Sequence, residues 1–392
     1  MLKMNLEEKI KSFLDKEVSR REFITALAKT SAALWLSLKL SGCVDFMSIK
    51  ERKKKINLKK AMFWKNLNLE DVQCLLCPNR CVIPKNGSGF CGIRKNIDGK
   101  LYTIAYSNPC AIHLDPIEKK PLYHFLPSAT TLSLAIAGCC MKCAFCQNWE
   151  ISQKTPEQTK NYRLQPLDIV EKAKELDADV IAYTYTEPTI FYEYMYDISK
   201  LARKKNIKNV IVTCGYINDE PFYELCNFLD SGNVNLKGFS DKVYGTLTTG
   251  SLEPILATAE RFKEKKKWVE ITYLVIPGYS DSITEIKNFC NWVLESLDEF
   301  TPVHFLRFFP AFKMRNLPPT PLKTLEKCWN LARDLGLKYV YIGNVPGHEG
   351  NNTYCHNCGY LLIKREGFFI SQNKINNGKC PNCKTKIPGF WW

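Results

Sequence analysis

Between Thr131 and Asn344 the chain alternates short β-rich apolar runs with longer helical ones, and few architectures accept that order. The β-rich runs are TLSLAIA, DVIAYTYT, NVIVT, NVNLKG, WVEITYLVI, PVHFLRFF and YVYIGN. Between them lie DIVEKAKEL, FYEYMYDISKLARKK, LEPILATAERFKEKK, ITEIKNFCNWVLESL and LKTLEKCWNLARDL. Strand–helix alternation on this scale predicts parallel βα units, in an open doubly wound sheet or a barrel. The polar residues favour the barrel. Cys139, Cys143 and Cys146 follow the first run, Glu187 ends the second, Thr213 ends the third, Asn235 and Lys237 close the fourth, and Thr272 lies in the fifth. Chemistry-bearing groups at the carboxyl ends of successive strands imply one shared mouth, whereas an open sheet gathers them mainly at one switch point. Seven runs fall short of eight. The expectation is an α/β fold with a partial (β/α) barrel of about six parallel strands.

AGCCMKCAFCQNWE places four cysteines in eight positions, Cys139 to Cys146. Read from Cys140, the spacing matches the first three ligands of a bacterial ferredoxin run, but that run needs a cysteine and a proline where Glu150 and Ile151 stand. Catalytic zinc usually recruits histidine or carboxylate, and no histidine lies between His124 and His304. Read from Cys139, the spacing is C-x3-C-x2-C, with Phe145 before the last cysteine. Three thiolates leave a coordination position open, and open positions are where metal chemistry happens. Here the chain resembles the radical SAM superfamily, whose loop of this spacing holds a [4Fe–4S] cluster with S-adenosylmethionine (SAM) on its fourth iron. The resemblance implies that Cys139, Cys143 and Cys146 carry the cluster and that Cys140 is a neighbour.

DPIEKKPLYHFLP, CQNWEISQ, YTYTEPTIFYEY, VIPGYSDS and GNVPGHEGNNTYC together resemble one branch, the AmmeMemoRadiSam-system radical SAM enzymes, related to the glycyl-radical-enzyme (pyruvate formate-lyase) activases. The similarity runs from about Met62 to Trp392. It implies reductive cleavage of SAM, hydrogen abstraction from a protein or an unusual metabolite, a low-potential electron donor of the flavodoxin or ferredoxin type, and Memo-like and AMMECR-like partners. It also places Phe145, Glu187, Thr213, Asn235 and Lys237 around SAM, with Glu187 meeting its ammonium and Asn235 and Lys237 near its carboxylate and ribose. Departures stand at Asn235, where activases carry Asp; at Thr272, in place of an arginine; at Phe309, often histidine; and at Cys214, in place of Asn. Arg307 is either a site for a substrate anion or one half of a structural salt bridge.

Two cysteine clusters flank this region. Cys74, Cys77, Cys81 and Cys91, with Pro78 and Gly92 directly after two of them, suit one zinc or an auxiliary iron–sulfur cluster; zinc is preferred, although spacing does not decide. Cys355, Cys358, Cys380 and Cys383 form two C-x2-C knuckles around a hairpin-like segment, the pattern of a zinc ribbon. Clustered spacing among 18 cysteines argues against a disulfide framework. Cys110, Cys214, Cys226, Cys290 and Cys328 read as small buried hydrophobes.

The net charge of +15 is uneven: residues 1–60 hold 15 Lys and Arg against 7 Asp and Glu. That asymmetry belongs to a leader rather than a nucleic-acid groove, and no nucleic acid is expected. Arg20 and Arg21 before a weakly apolar run resemble a twin-arginine signal, and LSGC, ending at Cys43, resembles a lipobox with Cys43 lipid-anchored. Residues 44–60 read as a basic linker outside the fold. The expected organisation is a leader over 1–43, that linker, a Cys-rich module over 61–120, the barrel over 121–345 and the ribbon over 346–392. The leader points to export or membrane anchoring and SAM chemistry points to the cytoplasm, so localisation stays open. The competing functions are a glycyl-radical-enzyme activase, an exported iron–sulfur electron carrier and a zinc-ribbon nucleic-acid module.

Overall fold

A computed structural model describes residues 57–392. The twin-arginine and lipobox expectations, Cys43 included, lie outside the described residues. Among the described residues no helix is long and apolar enough to cross a membrane.

The centre is an eight-stranded sheet in sequential order: β1 (Ala111–Pro116), β2 (Thr130–Ala135), β3 (Val180–Tyr183), β4 (Lys208–Thr213), β5 (Ser231–Leu236), β6 (Trp268–Val275), β7 (Val303–Arg307) and β8 (Val340–Gly343). Strands β2 to β8 run parallel, and β1 pairs antiparallel to β2 from Ala111↔Ala135 to Pro116↔Thr130. Edges remain at β1 and β8, so the barrel is partial, with seven parallel strands rather than about six. Helices α1 (Pro166–Glu175), α2 (Tyr192–Lys204), α3 (Asp219–Cys226), α4 (Asp241–Leu247), α5 (Glu253–Glu264), α6 (Ile283–Trp292) and α7 (Leu322–Asp334) fill the crossovers. Strands covered on both faces must be apolar throughout, and all four residues of β3 are buried. At the start of α1, Pro166 occupies the position whose N–H has no helical partner, and the Asp168 carboxylate accepts the Gln165 N–H at 2.7 Å.

Two boundaries differ from the sequence expectation. The barrel sheet starts at Ala111 instead of 121, because β1 belongs to it; as an edge strand it carries His113 and Asp115, which hide its period. Lys59 pairs with Thr103 and Lys60 with Tyr102, so the linker does not extend to residue 60. Their exposed side chains look like linker while their backbone completes a small sheet with Arg94–Ile97 and Lys100–Thr103. A second small sheet joins Trp64–Asn66, Val72–Cys74 and Val82–Ile83. At the far end, Leu361–Glu366 and Phe369–Asn373 form the expected hairpin between the last two cysteine knuckles, turning at Gly367 with φ of 64°.

Candidate functional site

The chain leaves β2 through Gly138, whose φ is +104°. A side chain there would place its Cβ 2.7 Å from Ile93 Cγ1 and 3.0 Å from the Cys91 carbonyl oxygen, so only glycine lets the next loop approach the N-terminal module. The loop is then fixed by backbone bonds: Lys142 N–H donates to Thr248 O at 2.9 Å, Ala144 N–H to Leu247 O at 2.8 Å, and Lys313 N–H to Ala144 O at 2.9 Å. Phe145 is buried against Val243, Leu247, Ile276 and Phe308. The Cys146 sulfur lies 3.1 Å from Ser152 Oγ. Burial pushes the Cys143 thiol well above its ordinary pKa, against the opposing pull of the Lys237 ammonium.

These cysteines line one end of a cavity of about 860 Å³ at the carboxyl ends of the strands, a volume typical of small-molecule sites. Phe145, Glu187, Thr213, Asn235 and Lys237 all line it. Glu187 is the most heavily bonded. One carboxylate oxygen accepts from Thr213 Oγ1 at 2.6 Å and Thr189 Oγ1 at 2.8 Å, and the other accepts from the Cys214 N–H at 2.7 Å and the Cys214 thiol at 2.8 Å. Lys237 Nζ donates to Asn235 Oδ1 at 2.6 Å. Thr272 departs from expectation: it is fully buried inside the barrel, donates to Asn233 Oδ1 at 2.9 Å, and does not reach the cavity. Among the described residues Arg307 forms no salt bridge; its Nε donates to the Thr320 carbonyl at 2.8 Å and its side chain lines the cavity.

Sequence reading assigned no role to the opposite wall. Lys119 and Lys120 each donate to Asp115 at 2.7 Å, and the Tyr185 hydroxyl donates to the same carboxylate. Burial lowers Lys120 to a pKa of about 8 against the pull of Asp115. Tyr185 adopts a φ of 67° and its carbonyl accepts from Asn148 Nδ2 at 2.8 Å, which ties the cysteine loop to β3. The available signals were two adjacent lysines and a tyrosine just before TEP.

The two flanking cysteine sets differ in shape. The sulfurs of Cys355, Cys358, Cys380 and Cys383 all lie within 4.8 Å of one another, with Cys355 and Cys383 at 3.6 Å and Cys358 and Cys380 at 3.7 Å. That matches the edge of a tetrahedron with metal–sulfur bonds of about 2.3 Å. Among the described residues no other such group forms. The Cys139, Cys143 and Cys146 sulfurs are thus not gathered for a single ion. Three free thiols spread around one end of a cavity suit a cubane with one iron open to a small molecule.

The radical SAM superfamily family model matches residues 134–290. An uncharacterised protein of Methanocaldococcus jannaschii is 45% identical over 335 residues, 84% of this chain and 99% of that protein. The pyruvate formate-lyase-activating enzyme of Staphylococcus epidermidis is 23% identical over 224 residues, 53% of this chain and 88% of that enzyme. A radical SAM methyltransferase from Sphaerobacter thermophilus superposes with a TM-score of 0.44 at 15% identity, over 78% of this chain and 81% of its own. With three thiols and a bonded carboxylate on successive strand ends of a parallel barrel, the chain belongs to the radical SAM superfamily.

Proposed function

We propose that this protein is a radical SAM enzyme of the AmmeMemoRadiSam-system branch, acting on a protein or an unusual metabolite. The observation that carries the reading is the convergence of Cys139, Cys143, Cys146, Glu187, Asn235 and Lys237 on one cavity. When bound and reduced by one electron, a [4Fe–4S] cluster supplies the cleavage of SAM to methionine and a 5′-deoxyadenosyl radical that abstracts hydrogen. The chain supplies orientation. Glu187, held rigid by five donors, receives the SAM ammonium; Lys237, propped on Asn235, faces its carboxylate and ribose; Arg307, in no ion pair among the described residues, offers its guanidinium to a substrate anion. A low-potential flavodoxin or ferredoxin is the proposed donor, Memo-like and AMMECR-like proteins are proposed partners, and zinc is proposed for Cys355, Cys358, Cys380 and Cys383.

The test is anaerobic reconstitution of the full chain with iron and sulfide, followed by SAM, dithionite and a count of 5′-deoxyadenosine. Wild type is expected to form it, Cys139→Ala to lose both cluster and product, and Cys140→Ala to keep the cluster. A cluster that assembles without any 5′-deoxyadenosine would support the electron-carrier reading instead. Alignment with 88% of a pyruvate formate-lyase-activating enzyme favours a glycyl-radical activase as the second reading. A glycyl EPR signal generated in a partner enzyme from the same genome would establish it.

A further inference from the structure

We infer that Cys74, Cys77, Cys81 and Cys91 hold a second, redox-active iron–sulfur cluster in electronic contact with the Cys139–Cys146 loop, and not a zinc ion. The four cysteines line one enclosed cavity. The Phe90 N–H donates to Cys81 Sγ at 3.4 Å, and the backbone of Leu76, Asn79 and Ile93, each two residues past a cysteine, lies against Cys74, Cys77 and Cys91. That arrangement stabilises ligating thiolates. A second sign of an occupant is Arg94. It is 1% exposed and lines the same cavity; its Nη1 donates to the Met62 carbonyl at 3.0 Å and its Nη2 lies 2.9 Å from Glu193 Oε1, while its Nε has no hydrogen-bond partner among the described residues. An orphaned buried guanidinium N–H is costly unless an acceptor fills the space before it.

Zinc and a cubane differ in how closely they draw their sulfurs. The Cys355 set is already drawn to single-ion distances, whereas no three of the four N-terminal cysteines have sulfurs within 4.8 Å of one another. In this they match the Cys139, Cys143 and Cys146 set, where an iron–sulfur cage belongs between the ligands. The two sets also touch. Cys140 neighbours Cys77 on one side and Cys139 on the other, Asn79 Nδ2 donates to the Cys140 carbonyl at 2.9 Å, and Gly138 abuts Cys91 and Ile93. Contact this close suits outer-sphere transfer. One electron leaves the reduced N-terminal cluster, oxidising it by one, and reduces the loop cluster by one; no bond forms or breaks. A low-potential one-electron donor then restores the first cluster.

The inference rests on the radical SAM reading only for its neighbour. Full-length protein is purified anaerobically without added iron, and iron, acid-labile sulfide and zinc are counted in wild type and in the Cys139→Ala, Cys143→Ala, Cys146→Ala variant. That variant is expected to keep about half the wild-type iron and sulfide, and after dithionite to show an EPR signal that SAM does not shift. A second zinc per chain with no sulfide overturns the inference. If the triple variant does not accumulate, Cys74→Ser with Cys91→Ser is expected to lose about half the iron while keeping the SAM-shifted signal; unchanged iron overturns it. In fully reduced wild type the two signals should broaden each other, and a simple sum of the separate spectra refutes the contact. Absence of SAM cleavage with the SAM-insensitive signal intact would remove the radical SAM reading and leave the second cluster standing.

Discussion

At the level of single residues, the site depends on a buried carboxylate saturated with donors. Two hydroxyls, a thiol and two backbone N–H groups already converge on Glu187, so its position is set before any ligand arrives. Replacing it by glutamine keeps the shape, removes the charge and turns one acceptor into a donor facing donors. Hydrogen bonds to charged groups contribute about 1.5–3 kcal/mol. Glu187→Gln is therefore expected to lower 5′-deoxyadenosine formation by about 10- to 100-fold with iron content and circular dichroism unchanged. Conversion at the wild-type rate would show that Glu187 has no part in binding SAM. Cys214 departs from the family pattern, a thiol where relatives hold Asn. In the fold that thiol is one of the donors fixing Glu187, a substitution of donor rather than a loss. Sequence could not show this, because the bond depends on the turn after β4 facing the turn after β3. The Asp115, Lys119, Lys120 and Tyr185 wall was missed for a related reason: its members meet only when β1 pairs antiparallel beside β2.

At the level of elements, the seven parallel strands and five of the seven helices were legible, since each carries its period along a continuous run. The two missed helices, α3 and α4, are the shortest of these seven, at 8 and 7 residues, and too brief to show a 3.6-residue repeat. The strand–helix layers also meet more tightly than any pattern states. Gly232 on β5 lies under the ring of Phe262 on α5, and a Cβ there would fall 2.3 Å from the ring's Cζ. Both residues are in the buried core, so the ring has nowhere to swing. Gly232→Ala is expected to cost about 1–3 kcal/mol, the range for overpacking a well-filled interior. Adding Phe262→Leu should recover part of that loss. A double-mutant cycle in urea measures the coupling, and strict additivity would mean that the two side chains do not compete for space.

On the scale of the whole molecule, the C-terminal module closes the barrel end away from the loop cysteines through one buried network. Glu270 on β6 accepts from the Tyr123 and His124 N–H groups and lies 2.7 Å from His304 Nε2. The His124 ring reaches Pro388 O and the Tyr341 hydroxyl, and Phe390 pairs its backbone with His124 and Leu126. Burial lowers His124 to a pKa of about 4, against the pull of Glu270. The unfolded chain, with an ordinary histidine near 6.5, therefore binds more protons between those values, and stability falls as pH drops through that window by about 3 kcal/mol. His124→Gln should be less stable at pH 7 yet lose less on acidification, as read from urea midpoints at each pH; parallel pH curves would clear His124 of the effect. The four-cysteine site shares this closure. Cys355 and Cys380 are buried in one cluster with Tyr123, Tyr339, Tyr341, Leu362 and Ile387, and Arg365 on the hairpin donates to the Tyr123 carbonyl at 3.0 Å while its guanidinium lies 3.9 Å from the Tyr123 ring centroid. Four thiolates at this spacing would repel one another without a cation between them, so a metal bound there would hold both the knuckles and the apolar surface behind them. Cys380→Ser is expected to release one metal ion per chain, lower the Tm by several degrees and open residues 346–392 to protease. If the metal is lost while the protease pattern is unchanged, the hairpin is held by its apolar cluster and Arg365 alone.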